Sequence, residues 1–168
     1  QQMQQAAQQA SQNQMTNATQ RQQQAQDALE EMLEDLDRGE QARQEVLRRT
    51  LQSVMDSIKG LIQSQEDNLA ALAAAAARTS FTGLDRGMIE LNRNTLGVVD
   101  LARAEGETLA VVVNHLNNAG EAQEQAIGLL RAAAVEVEET AAAENRSLER
   151  LNEALKEAER LAEQMDNA

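Results

Sequence analysis

Not one proline interrupts this chain of 168 residues, and that absence constrains its fold more than any motif it carries. Proline lacks the amide hydrogen and fixes φ, so it is the residue that most firmly ends a helix. Without it, glycine and asparagine must supply whatever punctuation the backbone has. What dominates instead is alanine, glutamine, leucine, glutamate and arginine, all strong helix formers. The chain is therefore expected to be all-α.

The kind of helical packing follows from which apolar residues are present. Apolar content is 42%, but much of it is alanine, and Phe81 is the only aromatic residue. An alanine contact buries about one methyl group, against ~1.5–3 kcal/mol for a fully buried leucine. Thin side-by-side packing is expected, in an elongated antiparallel helical bundle or coiled coil of three to four long helices. A net charge of −13 argues against phosphate-binding surfaces, which need clustered lysine and arginine, so no nucleic-acid partner is expected. The longest apolar run, residues 69–77, is far short of the ~20 residues that span a bilayer, so no transmembrane segment is expected. With no cysteine there is no disulfide framework. Gln1 in place of a methionine fits either a processed chain or a piece of a longer one.

Two regions differ in composition. Residues 1–26 hold 13 glutamines and one charge, Arg21, with Met3, Met15 and several alanines at loose helical spacing. Both a solvated helix and a partly disordered lead-in fit this composition. From Asp27 acids take over, and Leu29, Met32, Leu33 and Leu36 make a short apolar stripe. Residues 1–36 are thus read as a Gln-rich then acidic helical lead-in, and residues 37–168 as a helical bundle. Asp37-Arg38-Gly39-Glu40 is the expected break between them, with Asp37 capping the helix that follows.

Within the bundle the helices are expected at about 41–77, 84–118 and 121–166. Leu47, Leu51, Val54, Ile58, Leu61, Gln65, Asn68 and Leu72 alternate steps of four and three, a heptad seam with two polar members. Residues 78–83 read as a connection, with Phe81 covering the end of the bundle. Leu84, Met88, Leu91, Thr95, Val99 and Ala102 resume the spacing, and Gly106 is placed to kink or split that helix. Asn117-Asn118-Ala119-Gly120 is the next expected turn, since Asn and Gly favour the left-handed conformation that ends helices. The phase from Leu109 to Met165 nevertheless runs unbroken, so one helix of nearly sixty residues is the competing reading. Ile127, Leu130, Ala134, Val137, Ala141, Glu144, Leu148, Leu151, Leu155, Ala158, Ala162 and Met165 continue the seam.

No catalytic, cofactor-binding or metal-binding residue is assigned. His115 is the only histidine. Metal sites of the ferritin kind need Glu-x-x-His on paired helices, whereas Val112 precedes His115 by three and Asn118 follows it by three. It is read as structural. The acids Asp27, Glu30, Glu31, Glu34, Asp35 and Asp37, and likewise Glu136, Glu138 and Glu139, lack the glycine-bearing turn of a calcium loop and read as solvated faces. Ser80 and Thr82 have no histidine nearby in sequence, and no glycine-rich loop is placed to hold phosphate.

The stretches 61–65 (LIQSQ), 84–88 (LDRGM) and 122–130 resemble Gln/Ala-rich helical proteins of bacteria that have no established activity, over roughly residues 55–160. The resemblance implies a helical fold and no particular chemistry. It leaves the compartment open between bacterial cell envelope and cytoplasm. The Gln/Glu/Ala-rich helices also resemble chemoreceptor cytoplasmic domains, which implies a signalling hairpin. Those receptors' Glu/Ala-rich tip is replaced in this chain by a Thr/Ser/Gly link around Phe81. Amphipathic helices without proline resemble the exchangeable apolipoproteins, which implies a lipid-surface hairpin, although aromatics are scarce and only Lys59 and Lys156 provide lysine. The leading expectation is a non-catalytic structural or protein-interaction module, binding a protein partner or itself through its helical seams.

Overall fold

The computed structural model describes residues 1–167. It contains α1 (Gln2–Arg78), α2 (Leu84–Arg103), a 3-10 turn (Gly106–Leu109), α3 (Ala110–Leu130) and α4 (Val137–Asp166). No strand occurs among the described residues. The chain divides into two compact units, Gln1–Glu45 and Val46–Ala168, and the division falls inside α1.

The first unit is helical from Gln2, and every side chain in it is exposed. Its order is local. Thr16 and Thr19 donate their hydroxyls to the carbonyls of Gln12 and Met15, one turn back. Arg38 pairs with Asp35 at 2.7 Å across the first turn of the expected break. The helix continues through Asp37, Gly39 and Glu40, so the break expected there is absent. The physical reason is that a single mid-helix glycine costs only about 1 kcal/mol against alanine. Nothing lies within 4 Å of the place where a Gly39 side chain would stand, so no packing contact rewards a turn.

The second unit is an all-α bundle. On α1 the buried residues are Leu51, Val54, Ile58, Leu61, Gln65, Leu72 and Ala75, nearly the seam read from the sequence. On α2 the buried residues are Met88, Leu91, Thr95, Val98, Val99 and Ala102. Contacts between neighbours descend in one helix as they ascend in the next. Asp85 meets Arg131 and Asn92 meets Gln123, while Gln125 meets Arg146 and His115 meets Glu153. The helices are therefore antiparallel in succession. Phe81 is half-buried against the apolar core, in the connection between α1 and α2.

Two expected boundaries move. Residues 117–120 lie inside α3, where Ala119 and Gly120 are fully buried and Asn92 Nδ2 donates to Gly120 O at 3.2 Å. Gly120 continues the helix with ordinary room for a side chain, since a Cβ there would meet only Asn92 Nδ2, at 3.8 Å. The chain reverses instead at residues 131–136, between α3 and α4, within the helix expected over 121–166. The helix expected over 84–118 is also divided: α2 ends at Arg103, and Gly106 enters the 3-10 turn at φ +61°. That outcome matches the splitting role assigned to Gly106.

Candidate functional site

Two features stand apart from an ordinary leucine and alanine core. One is a buried polar layer through the second unit, and the other is an apolar stripe on the first.

The polar layer has two groups. In the first, Gln123 of α3 is fully buried and its amide is completely used: Nε2 donates to Thr95 Oγ1 of α2 at 3.0 Å and to Ser147 Oγ of α4 at 3.1 Å. Its Oε1 accepts from Asn92 Nδ2 at 3.2 Å. Thr95 passes its own hydrogen to Leu91 O. Three helices thus meet on one side chain with every polar atom of the amide satisfied, which is what makes a buried amide tolerable.

In the second group, Gln65 of α1 donates Nε2 to Glu144 Oε1 of α4 at 3.0 Å, with Met88 Sδ at 3.6 Å from the same nitrogen. Gln65 is fully buried and Glu144 only 1% exposed. Burial pushes the Glu144 carboxyl up to about 7, against a smaller opposing effect of the Gln65 hydrogen bond. Gln65 Oε1 is buried and has no partner. The sequence reading placed both residues on the seam as polar interruptions but did not bring them together. Pairing across 79 positions leaves no local signal.

His115 lies within α3, half-exposed, where the reading placed a structural histidine near a helix end. Its Nδ1 is 3.2 Å from Glu153 Oε2, without hydrogen-bond alignment. Arg150 holds the same oxygen at 2.9 Å. One turn on, Arg160 grips Glu157 with two nitrogens, at 2.6 and 3.0 Å, and this hydrogen bonding holds the Glu157 carboxyl below its ordinary range. Among the described residues, no three His, Cys, Asp or Glu side chains converge as metal ligands. The two acidic runs, 27–37 and 136–139, are exposed throughout except Val137.

On the first unit, Leu29, Met32, Leu33 and Leu36 fall on one face of the helix at spacings of three, one and three. They are 59–64% exposed. The opposite face and both margins carry Asp27, Glu30, Glu31, Glu34, Asp35 and Asp37, with no basic residue between Gln22 and Asp37. No helix among the described residues is long and apolar enough to cross a membrane. No family model, curated protein or solved structure matches this chain.

Proposed function

We infer that this protein is a non-catalytic helical interaction module whose docking element is the stripe Leu29, Met32, Leu33 and Leu36. The observation that carries this reading is the exposure of four large apolar side chains on one helical face, in a segment that buries nothing. Amphipathic helices of this kind bury the stripe in a groove or against another helix. The charge around the stripe selects the occupant. Two copies aligned on this stripe in either direction would set residues 27–37 against themselves, acid facing acid. A helix of another protein, apolar along one face and flanked by Lys or Arg, meets attraction on both counts. A lipid surface has less support, because anionic headgroups would face the same acids.

The test uses the whole chain and two designed helical peptides with identical leucine faces, one flanked by lysine and one by glutamate. The lysine peptide is expected to bind and the glutamate peptide not. Each leucine removed from the stripe, as in Leu33→Asn or Leu36→Asn, should weaken binding by about tenfold or more, given ~1.5–3 kcal/mol per buried leucine. Sedimentation of the chain alone as a dimer that Leu33→Asn dissociates would assign the stripe to self-association and sink the choice of partner.

A further inference from the structure

The Glu144–Gln65 contact leaves a buried acceptor facing nothing while a buried acid stands beside it. Gln65 gives one amide hydrogen to Glu144 Oε1, yet its own Oε1 is sealed from water and unpaired. Buried polar atoms are nearly always satisfied, so an orphan acceptor points to a donor not yet accounted for. A carboxylate has no hydrogen to give, and a carboxylic acid has one. Turning the Gln65 amide over would place its oxygen against Glu144 Oε1 and demand the same proton.

We propose that protonated Glu144 and Gln65 form a reciprocal acid–amide pair, Gln65 Nε2 donating to one carboxyl oxygen and the carboxyl hydrogen donating to Gln65 Oε1, and that this pair makes the bundle tighten on proton uptake and loosen on proton release. The surroundings favour the neutral acid. From α1 the residues following Gln65 are Glu66 and Asp67, both exposed to water. From α2, Met88 is neutral, and Asp85, one turn earlier, is engaged by Arg131 at 3.3 Å. From α3, Glu124 is exposed, and on α4 itself Glu138, Glu139 and Arg146 are exposed, with Arg146 bound to Gln125. No cation reaches Glu144: the influences on its carboxyl are burial, which raises it, and the Gln65 bond, which lowers it less.

The sign follows from linkage. The folded state keeps a proton up to about pH 7 that the unfolded chain releases near its ordinary value of 4.5. The stabilisation is complete below 4.5 and is lost as pH rises through 7. Between about pH 5.5 and about pH 8 the unfolding equilibrium constant of the whole chain should rise roughly thirtyfold from this group alone.

Urea unfolding followed by circular dichroism across that interval tests the pair. Glu144→Gln keeps the shape and supplies a permanent N–H to Gln65 Oε1, so its unfolding should be nearly flat in pH and match the wild type at the acidic end. A wild type without pH dependence, or a Glu144→Gln protein that keeps the wild-type slope, overturns the proposal. Carboxyl carbon NMR on glutamate-labelled wild type gives a second readout that needs no variant. One carboxyl should titrate near neutrality, and if every carboxyl titrates in the ordinary range the pair is not protonated.

Discussion

Gly87 of α2 lies against the side-chain oxygen of Asn68 of α1, with no room for a methyl group between them. Asn68 is itself held, its Nδ2 donating to Ser64 O at 2.8 Å one turn back. The pair sets how closely the first two helices of the bundle approach. Replacing an interior helical glycine by alanine ordinarily stabilises by about 1 kcal/mol. Gly97 offers open space where its side chain would stand, so Gly97→Ala should deliver most of that gain. Gly87→Ala should lose it, ending neutral to about 1 kcal/mol destabilised as Asn68 gives up its bond. Adding Asn68→Ala should restore the difference, and chemical denaturation of the four proteins checks the cycle.

Gln123 is the hub of the other polar group, and its removal should show whether that group contributes stability or alignment. Gln123→Leu keeps the volume but strips partners from Asn92, Thr95 and Ser147, and should cost about 1–3 kcal/mol. Replacing the hydroxyl partners as well, in Thr95→Val with Gln123→Leu and Ser147→Ala, should recover most of the loss, because fewer polar groups remain unpaired. If the triple variant is as stable as wild type but its NMR spectrum broadens, the layer fixes the register of three helices more than it holds them together.

The apolar seam was legible in the sequence because it depends on period alone. Leu51, Val54, Ile58, Leu61 and Leu72 are buried where the four-three alternation put them, and so are Met88, Leu91, Val99 and Leu109. Gln65 and Thr95 were visible as polar members of that seam. Their pairings with Glu144 and Gln123 were not, because those residues come from α4 and α3 and local spacing carries no record of which turns will meet. Glycines misled where packing outranked local preference. Gly120 is buried under Asn92 inside α3, whereas the reversal at residues 131–136 falls in Arg-Ala-Ala-Ala-Val-Glu, a stretch with ordinary helix propensity. The chain turns there because α4 must lie back along α3, and that requirement is tertiary.

The connection between α1 and α2 holds a non-glycine residue at positive φ. Thr79 sits at φ +53°, a left-handed conformation that crowds a β-branched side chain, while Gly83 at φ +83° occupies the position before α2 without penalty. Thr79→Gly should therefore stabilise by about 1 kcal/mol, since the strain it relieves exceeds the added freedom of the unfolded chain. Gly83→Ala should destabilise by a similar ~1 kcal/mol. Thermal melts of both variants, read against wild type at one pH, check the opposite signs.

The exposed helix of the first unit should be the most labile part of the chain. No residue before Leu51 is buried, so the only forces on residues 2–45 are intrinsic propensity and local pairs such as Arg38 with Asp35. Propensity alone sustains an isolated helix only marginally. Amide hydrogen exchange over residues 5–40 should accordingly be faster by orders of magnitude than over residues 51–72, where α1 contributes to the core. Deleting residues 1–45 should leave the melting midpoint of the bundle nearly unchanged. Saturation with the lysine-flanked peptide should slow exchange around Leu29 to Leu36 and leave the bundle amides as they were. Uniform protection along the whole of α1 in the free protein would mean that the stripe is already covered.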